Sequence, residues 1–350
     1  MKSTYIIGPS LKSKIAGGVV THVKFLSTLK VFDGANFIKI DSLGSNPIKS
    51  LINIFIDALK LIKINKSIVI INASIYKGSI AKLCIQIFLL AKKNNKIIIF
   101  FHGGSFKRVK NSNGAIVKAV LPFFAFIDKL FFLSEIQKKE FLELRANAIC
   151  ERYRNYSMCS DVVPYYIGES GFHRLLFVGR ITKEKGVFEV LDSFVELTKG
   201  EKNKFQLDFV GEGDAIDSLK SIIRSLSINN VVFHGYLAGE DLQNMYSSAD
   251  MVILPSYAEA FPYVFVESMR SGVPMLATAV GALPDLIVND YNGYIIENSD
   301  PILIFNAMSR HFEKCDADKI SIRNNCHKFF KEELSKNSAE TFYKKILSEL

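Results

Sequence analysis

Short apolar runs and longer mixed stretches follow one another along this chain and predict a repeated strand–helix unit. A short, almost wholly apolar run is typical of a strand buried in a parallel sheet. In the N-terminal half such runs predict strands at Thr4–Gly8, Phe37–Ile40, Ile68–Ile71, Lys96–Phe101 and Leu130–Leu133. The stretches between and after them predict helices at Gly18–Lys30, Ile48–Ile64, Ile75–Lys92 and Glu135–Arg145. This succession favours an α/β fold with a parallel sheet covered on both faces.

The same rhythm begins again at Leu175, which predicts a second domain of the same kind. Asp161–Tyr166 is the expected crossover, and Gly168–Gly171 is the expected linker. We therefore place an N-terminal domain at residues 1–165, a C-terminal domain at residues 166–330, and a polar helix at residues 331–350. The 350 residues are enough for two domains of ordinary size.

The net charge of +9 is distributed unevenly along the chain. Residues 1–165 hold 25 Lys and Arg against 9 Asp and Glu, whereas residues 166–350 hold 19 against 26. A strongly basic half is typical of proteins that meet nucleic acid, anionic lipid or an anionic substrate. No zinc-finger, helix-turn-helix or RRM pattern accompanies the charge, so we expect no nucleic-acid partner.

Basic and apolar residues are interleaved in two segments of the basic half, Leu51–Lys63 and Lys118–Phe132. Such segments suit an anionic membrane surface. The alternative is a lysine-rich composition in which the Phe and Ile residues of these helices are simply buried in the core. No apolar run reaches the roughly 20 residues that a membrane span needs.

The cysteines show no paired metal-ligand spacing. They are Cys84, Cys150, Cys159, Cys315 and Cys326. An odd count without a signal peptide favours reduced thiols in the cytosol. We therefore expect a cytoplasmic protein.

Two glutamates eight residues apart are the strongest candidates for a binding site. The apolar run Met251–Leu254 predicts a buried strand, and Pro262 fits the first turn of a helix. Glu259 should then lie in the loop after the strand, and Glu267 about one turn into the helix. Ligands of open α/β sheets bind at the carboxyl ends of strands, so these carboxylates, beside free helix amides, suit a ligand with hydroxyls and phosphates. By itself the pair could equally be two unrelated acidic residues.

The surroundings of the pair form an ordered series of motifs. They are Leu175–Gly186 with Gly179, Arg180 and Lys185, then Phe209–Asp214, Val232–Leu237, Thr278–Asp285 and Asn292–Tyr294. This series resembles the retaining GT-B glycosyltransferases of family 4, strongly over residues 170–296 and more loosely in the N-terminal half. The resemblance implies a GT-B fold, in which two Rossmann-like, doubly wound domains face each other across a cleft and a terminal helix returns to the first domain.

The resemblance also implies roles for residues of the C-terminal domain. Arg180 and Lys185 would stabilise charge on the departing nucleoside diphosphate. Glu267 would accept hydrogen bonds from the ribose hydroxyls, and Glu259 would hold a hydroxyl of the donor sugar. Further donor-binding positions are Tyr236 and Leu237 near the base, and Phe261, Tyr263 and Val264 near the sugar and diphosphate. Many family members have glycine where Ala260 and Pro262 stand, and Pro262 removes one amide donor.

Two elements of the N-terminal half complete the expected site. Gly17 and Gly18 form a turn that opens a helix, where exposed amides would favour phosphate, although a plain turn is the alternative. His102, followed by Gly103 and Gly104, comes directly after a predicted strand and should therefore lie outside the core. The resemblance places His102 at the donor sugar, near the reacting carbon; a structural histidine is the alternative. The predicted catalytic set is His102, Glu259, Arg180 and Lys185.

We expect no metal and no cofactor. Asp316-Ala-Asp318 has the Asp-x-Asp form that holds a metal in other glycosyltransferases, but it lies in a late charged segment and is interpreted as a surface turn. No residue stands out as a covalent nucleophile. In the mechanism proposed for the family, the leaving phosphate takes the acceptor's proton on the same face of the sugar.

The sequence thus predicts a retaining glycosyltransferase. We expect its donor to be a UDP-linked nucleotide sugar and its acceptor to be a lipid-linked glycan. Such an enzyme would build bacterial surface polysaccharide, O-antigen or capsule, at the inner face of the plasma membrane. A nucleotide-sugar epimerase of the same fold, a non-catalytic nucleotide-sugar-binding subunit and a nucleic-acid-binding protein are the alternatives.

Overall fold

The computed structural model describes residues 2–10, 18–40, 56–75, 77–91, 93–111, 121–165, 172–199 and 204–350. They form two compact units. The first consists of Met1–Met158 together with Ala339–Leu350, and the second of Cys159–Ser338. Gly17 and the predicted linker Gly168–Gly171 lie outside the described residues.

The first unit is built on a six-stranded parallel sheet with the strand order β2-β1-β3-β4-β5-β6. The strands are β1 Thr4–Gly8, β2 Asn36–Lys39, β3 Ile68–Ile75, β4 Lys96–Gly104, β5 Lys129–Phe132 and β6 Cys150–Arg152. The helices are α1 Gly18–Leu26, α2 within residues 56–61, α3 Lys77–Ala91, α4 within residues 106–111 and α5 Glu135–Leu142. All five predicted strands are present, and β6 was not predicted.

Strand β4 shows why this sheet needs cover on both faces. Successive side chains of a strand point to opposite faces. Ile97, Ile99 and Phe101 belong to the core that also contains the buried side chains of α3. Phe100 points the other way, and its ring lies 5.7 Å from that of Tyr343 in the C-terminal helix. The final residues of the chain therefore cover the second face of the first sheet.

The second unit is built on another six-stranded parallel sheet, with the order β12-β11-β10-β7-β8-β9. Its strands are β7 His173–Val178, β8 Phe205–Val210, β9 Val231–Gly235, β10 Met251–Leu254, β11 Met275–Thr278 and β12 Gly293–Ile296. Its helices are α6 Val187–Leu197, α7 Ile216–Ser225, α8 Gly239–Ser247, α9 Tyr263–Arg270, α10 Pro301–Phe312 and α11 Asp316–Phe329. A last helix, α12, spans Lys336–Ser348.

The strand order of the second sheet reverses at β7, which lies between β8 and β10. At such a switch point the connections leave on opposite faces of the sheet and open a crevice at the carboxyl ends of the strands. The two sheets and their helices confirm the predicted fold of two doubly wound α/β domains. No helix in the described part of the chain is both long and apolar enough to cross a bilayer.

Replacing Tyr343 by alanine should destabilise the protein because this side chain closes one face of the first sheet. Tyr343 is 1% exposed, and its hydroxyl contacts Nε2 of His22 at 3.1 Å. We expect the free energy of unfolding to fall by about 3–5 kcal/mol, measured by urea denaturation. The neighbouring exposed Lys344→Ala should change it by less than about 0.5 kcal/mol. Equal denaturation midpoints for the two variants would contradict this packing.

Candidate active site

The two glutamates lie at the end of β10, as their spacing predicts. All four residues of β10 are buried, Glu259 lies in the following loop, and Glu267 lies in the second turn of α9. Pro262 precedes the first helical turn instead of lying in it, because its ψ of 133° is extended and the helix begins at Tyr263. The strand thus leads directly into a loop and a helix that each carry one carboxylate.

Close backbone contacts hold the Glu259 loop on two sides. Gly186, with φ 72°, follows β7, and a Cβ atom there would lie 2.3 Å from the carbonyl oxygen of Pro255. Gly281, with φ 59°, follows β11, and a Cβ atom there would lie 2.3 Å from the carbonyl oxygen of Glu259. Only glycine permits both the positive φ and this approach. The loop between Pro255 and Pro262 is therefore fixed by its neighbours in the sheet.

Lys185 and Glu259 form an ion pair in this loop. Their Nζ and Oε1 atoms lie 2.5 Å apart, and the Ser256 hydroxyl donates to the same oxygen at 2.9 Å. The lysine and glutamate side chains are 18% and 12% exposed, so water screens the pair less than it would on an open surface. The structure thus brings together two predicted catalytic residues from the ends of β7 and β10.

Arg180 also lies at the carboxyl end of β7, where its side chain is exposed. Tyr236 and Leu237 follow β9, and the Tyr236 side chain is 74% exposed. The second sheet therefore presents a cation and an aromatic ring at the same edge as the ion pair.

Glu267 has a buried tyrosine as its hydrogen-bond donor. The Tyr246 hydroxyl, on α8, donates to Oε2 of Glu267 at 2.7 Å, while Oε1 has no partner among the described residues. Burial raises the pKa of Glu267, and the hydrogen bond from Tyr246 and the charge of Arg270 oppose that rise. The site therefore holds a carboxylate with one oxygen fixed and the other able to accept.

Two aromatic residues frame the start of α9. The Tyr263 hydroxyl is buried and has no hydrogen-bond partner within the described residues, and burial together with the Glu267 charge raises its pKa. Phe261 is 4% exposed and packs against Phe265, so its side chain belongs to the core. The amides of Tyr263 and Val264 fall in the first turn, where a helix supplies no carbonyl partner.

His102 lies inside the first sheet, contrary to the prediction that it lies outside the core. Strand β4 continues to Gly104, and the His102 side chain is 8% exposed. Its Nε2 lies 2.9 Å from Oδ1 of Asn72, and its Nδ1 lies 2.8 Å from the Tyr153 hydroxyl. The Asn72 amide nitrogen donates to the carbonyl of Ile7. Oδ1 therefore faces the ring and requires a proton on Nε2 of His102.

A second histidine ring lies against this one at a tilt of 57°. The His22 ring lies 4.4 Å from that of His102, is fully buried, and has an Nδ1 atom without a partner among the described residues. Burial lowers the pKa of His22 to about 3. Burial, and then the neighbouring His22, lower the pKa of His102 well below its usual range. Both rings are thus neutral at physiological pH.

Sequence reasoning missed the partners that orient these groups. Tyr246, Ser256 and Tyr153 gave no local signal. Asn72 did give a local signal, because it is an amide within the otherwise apolar beginning of β3.

Gly18 opens α1 as predicted. Asp316 and Asp318 are exposed at the surface as predicted, but they lie in the first turn of α11, where acidic residues favour the helix dipole, and not in a turn. Among the described residues no group of His, Cys, Asp and Glu is arranged to hold a metal ion.

The two doubly wound α/β domains match the fold of GT-B glycosyltransferase structures. Residues 169–327 match the family model described as Glycosyl transferases group 1. This range contains the switch point, the Lys185–Glu259 pair and Glu267.

Two sequence relatives and two solved structures are similar to all or part of this chain. An uncharacterized glycosyltransferase of Methanocaldococcus jannaschii is 34% identical over 128 residues, which are 36% of this chain and 32% of that protein. An uncharacterized 41.2 kDa protein in the cps region of Klebsiella pneumoniae is 25% identical over 75% of both chains.

One solved structure is Anabaena HepE in complex with UDP, which has a TM-score of 0.77 at 15% identity. The other is the lipopolysaccharide outer core galactosyltransferase WaaB in its apo form, which has a TM-score of 0.72 at 17% identity. Each covers 100% of both chains. At this identity the likeness shows the fold.

The two adjacent buried histidines, His22 and His102, should make the protein sensitive to acid. Their folded pKa values are depressed, and unfolded histidine titrates near about 6.5. The unfolded chain therefore binds more protons as the pH falls, so stability is complete above about pH 6.5 and declines below it. We expect urea denaturation of His22→Gln to show a smaller loss between about pH 7 and about pH 5 than the wild-type protein. Identical slopes would show that His22 is not buried as a neutral ring.

Proposed function

We propose that this chain is a retaining glycosyltransferase that transfers a sugar from a UDP-sugar to a hydroxyl of a lipid-linked glycan. The observation that carries the proposal is the Lys185–Glu259 ion pair at the carboxyl ends of β7 and β10, with Glu267 in the helix that follows. A site with cations and carboxylates side by side suits a ligand that has both phosphates and hydroxyls.

The cations would act on the leaving group. Cleavage of the bond between the sugar and the diphosphate builds negative charge on the β-phosphate, and Lys185 and Arg180 are assigned to stabilise it. An ammonium group has three donors, so Lys185 can keep its bond to Glu259 while it donates to a phosphate oxygen. The first-turn amides of Tyr263 and Val264 offer further donors for the diphosphate.

The carboxylates would hold the two sugars of the donor. Glu259 is assigned to a hydroxyl of the transferred sugar, since it lies beside the phosphate-binding lysine. Glu267 is assigned to the ribose, with the Tyr246 hydrogen bond fixing Oε2 so that Oε1 faces the ligand. Tyr236 and Leu237 are assigned to the base, and Gly17 and Gly18 to the phosphates.

We assign His102 a positioning role behind the donor-sugar site, as a neutral group that transfers no proton. Both of its ring nitrogens are already hydrogen-bonded, and its pKa lies far below neutrality. The acceptor's proton would therefore pass to the leaving phosphate on the same face of the sugar, which retains the anomeric configuration. This route needs no metal and no covalent nucleophile.

Several features support a lipid-linked acceptor in bacterial surface polysaccharide synthesis. The surface of the first unit contains an open depression of about 520 Å³ lined by Ser105, Lys107, Arg108 and Asn111, whose two cations suit an anionic acceptor. One similar structure is a lipopolysaccharide outer core galactosyltransferase, and one relative lies in a cps region. We place the enzyme in the cytoplasm at the inner face of the plasma membrane.

Lys185→Ala should lower turnover by about two to three orders of magnitude, the usual effect of losing one group that stabilises transition-state charge. The assay would incubate the purified protein with a panel of nucleotide sugars and EDTA, and measure release of the nucleoside diphosphate and transfer to a lipid-linked acceptor. Lys183→Ala removes an exposed cation two residues away and serves as the matched control.

Equal turnover of Lys185→Ala and the wild-type protein would contradict the site assignment. A donor epimerised without any acceptor would identify the protein as an epimerase. Inversion at the anomeric carbon of the product would overturn the retaining route.

A further inference from the structure

Helix α3 is apolar on its buried side and also on its outer side. Leu83, Ile87 and Leu90 pack in the core of the first unit. Ile85 and Phe88, which point away from that core, are 43% and 46% exposed. A helix with apolar side chains on both sides is normally buried on both sides. The outer side of α3 therefore calls for a second apolar environment.

The exposed apolar surface continues onto both neighbours of α3. On one side, Lys82 of α3 lies 3.8 Å from the carboxylate of Asp57 in α2, which places these helices next to each other. On the other side, the rings of Phe88 and Phe123 lie 6.3 Å apart, which joins α3 to the helical turn Leu121–Phe126. The apolar face formed by these elements consists of Ile56, Leu59, Ile62, Ile85, Phe88 and Phe126, each at least 43% exposed.

The charges among these residues are almost all positive. Residues 56–75, 77–91 and 93–95 contain six lysines and one acidic residue, Asp57. Asp57 is buried and bound to Lys60 and Lys82, while Lys60, Lys63 and Lys66 are exposed. Lysine can lay its apolar stem along such a face and hold its ammonium group at the level of lipid headgroups.

We propose that the apolar face docks the protein on a bilayer of anionic phospholipid, with its large side chains in the acyl boundary and its lysines at the headgroups. This combination of apolar surface and cations is the one that binds anionic lipid surfaces. A second copy of the chain suits the face less well, since a two-fold contact would bring like charges together. The inference rests on the proposed function, because a lipid-linked acceptor lies in such a bilayer.

Flotation of the full-length protein with vesicles tests the docking. Vesicles of phosphatidylglycerol and phosphatidylcholine in equal parts should carry the protein, vesicles of phosphatidylcholine alone should carry far less, and added salt should reduce binding. The double variant Ile85→Gln/Phe88→Gln should lower the partition coefficient by at least about tenfold. The double variant Lys63→Gln/Lys66→Gln, which leaves the Asp57 ion pairs intact, should lower the partition coefficient by about fivefold for each charge removed.

The matched control is Ile136→Gln, which replaces an isoleucine that is 50% exposed on α5 and should leave partitioning unchanged. Equal flotation of the double apolar variant and the wild-type protein would overturn the proposal, as would a wild-type protein that floats with neither vesicle. A dimer in vesicle-free buffer that the double variant splits would show instead that a second copy covers the face. UDP binding measured on the same samples separates the two proposals, since docking without UDP binding would contradict only the donor assignment.

Discussion

The candidate site depends on the backbone contact that fixes the loop between β10 and α9. Gly186 and Gly281 allow two neighbouring loops to approach its carbonyl oxygens more closely than any side chain would permit. The packing of β7, β10 and β11 in the sheet thereby fixes the position of the Glu259 side chain. A charged group held in this way loses little further freedom when a ligand binds, which is the physical basis of preorganisation. Lys185, next to Gly186, is placed by the same contact.

The electrostatics of the site follow from this placement. Glu259 is compensated by Lys185, so neither charge is left unpaired in a partly buried position. Glu267 is different, because burial raises its pKa and the Tyr246 hydroxyl only partly opposes this. A ligand that donates hydrogen bonds to Glu267 would relieve that cost. The fold thus holds one carboxylate, Glu259, that is paired with a cation, and another, Glu267, that can accept hydrogen bonds from a ligand.

The sequence predicted most of the architecture because strands buried on both faces leave a strong apolar signal, as β4 and β10 do. It also placed Glu259 and Glu267 correctly, since the apolar run and Pro262 fix where the strand ends and the helix begins. It missed β6, whose residues Cys150–Arg152 are mostly polar. It ended β4 too early, because two glycines after His102 are typical of a turn, whereas here the strand continues through them. Partners such as Tyr246 lie far away in the chain and leave no local pattern.

Calorimetric titration with UDP and a UDP-sugar, in EDTA, tests most directly whether the two carboxylates divide the donor between them. The account predicts that Glu267→Gln weakens the binding of both ligands, because both contain the ribose. It predicts that Glu259→Gln weakens the UDP-sugar more than UDP, since only the UDP-sugar carries the transferred sugar. Wild-type affinity of both variants for both ligands would contradict the central claim that this edge of the second sheet is a nucleotide-sugar site.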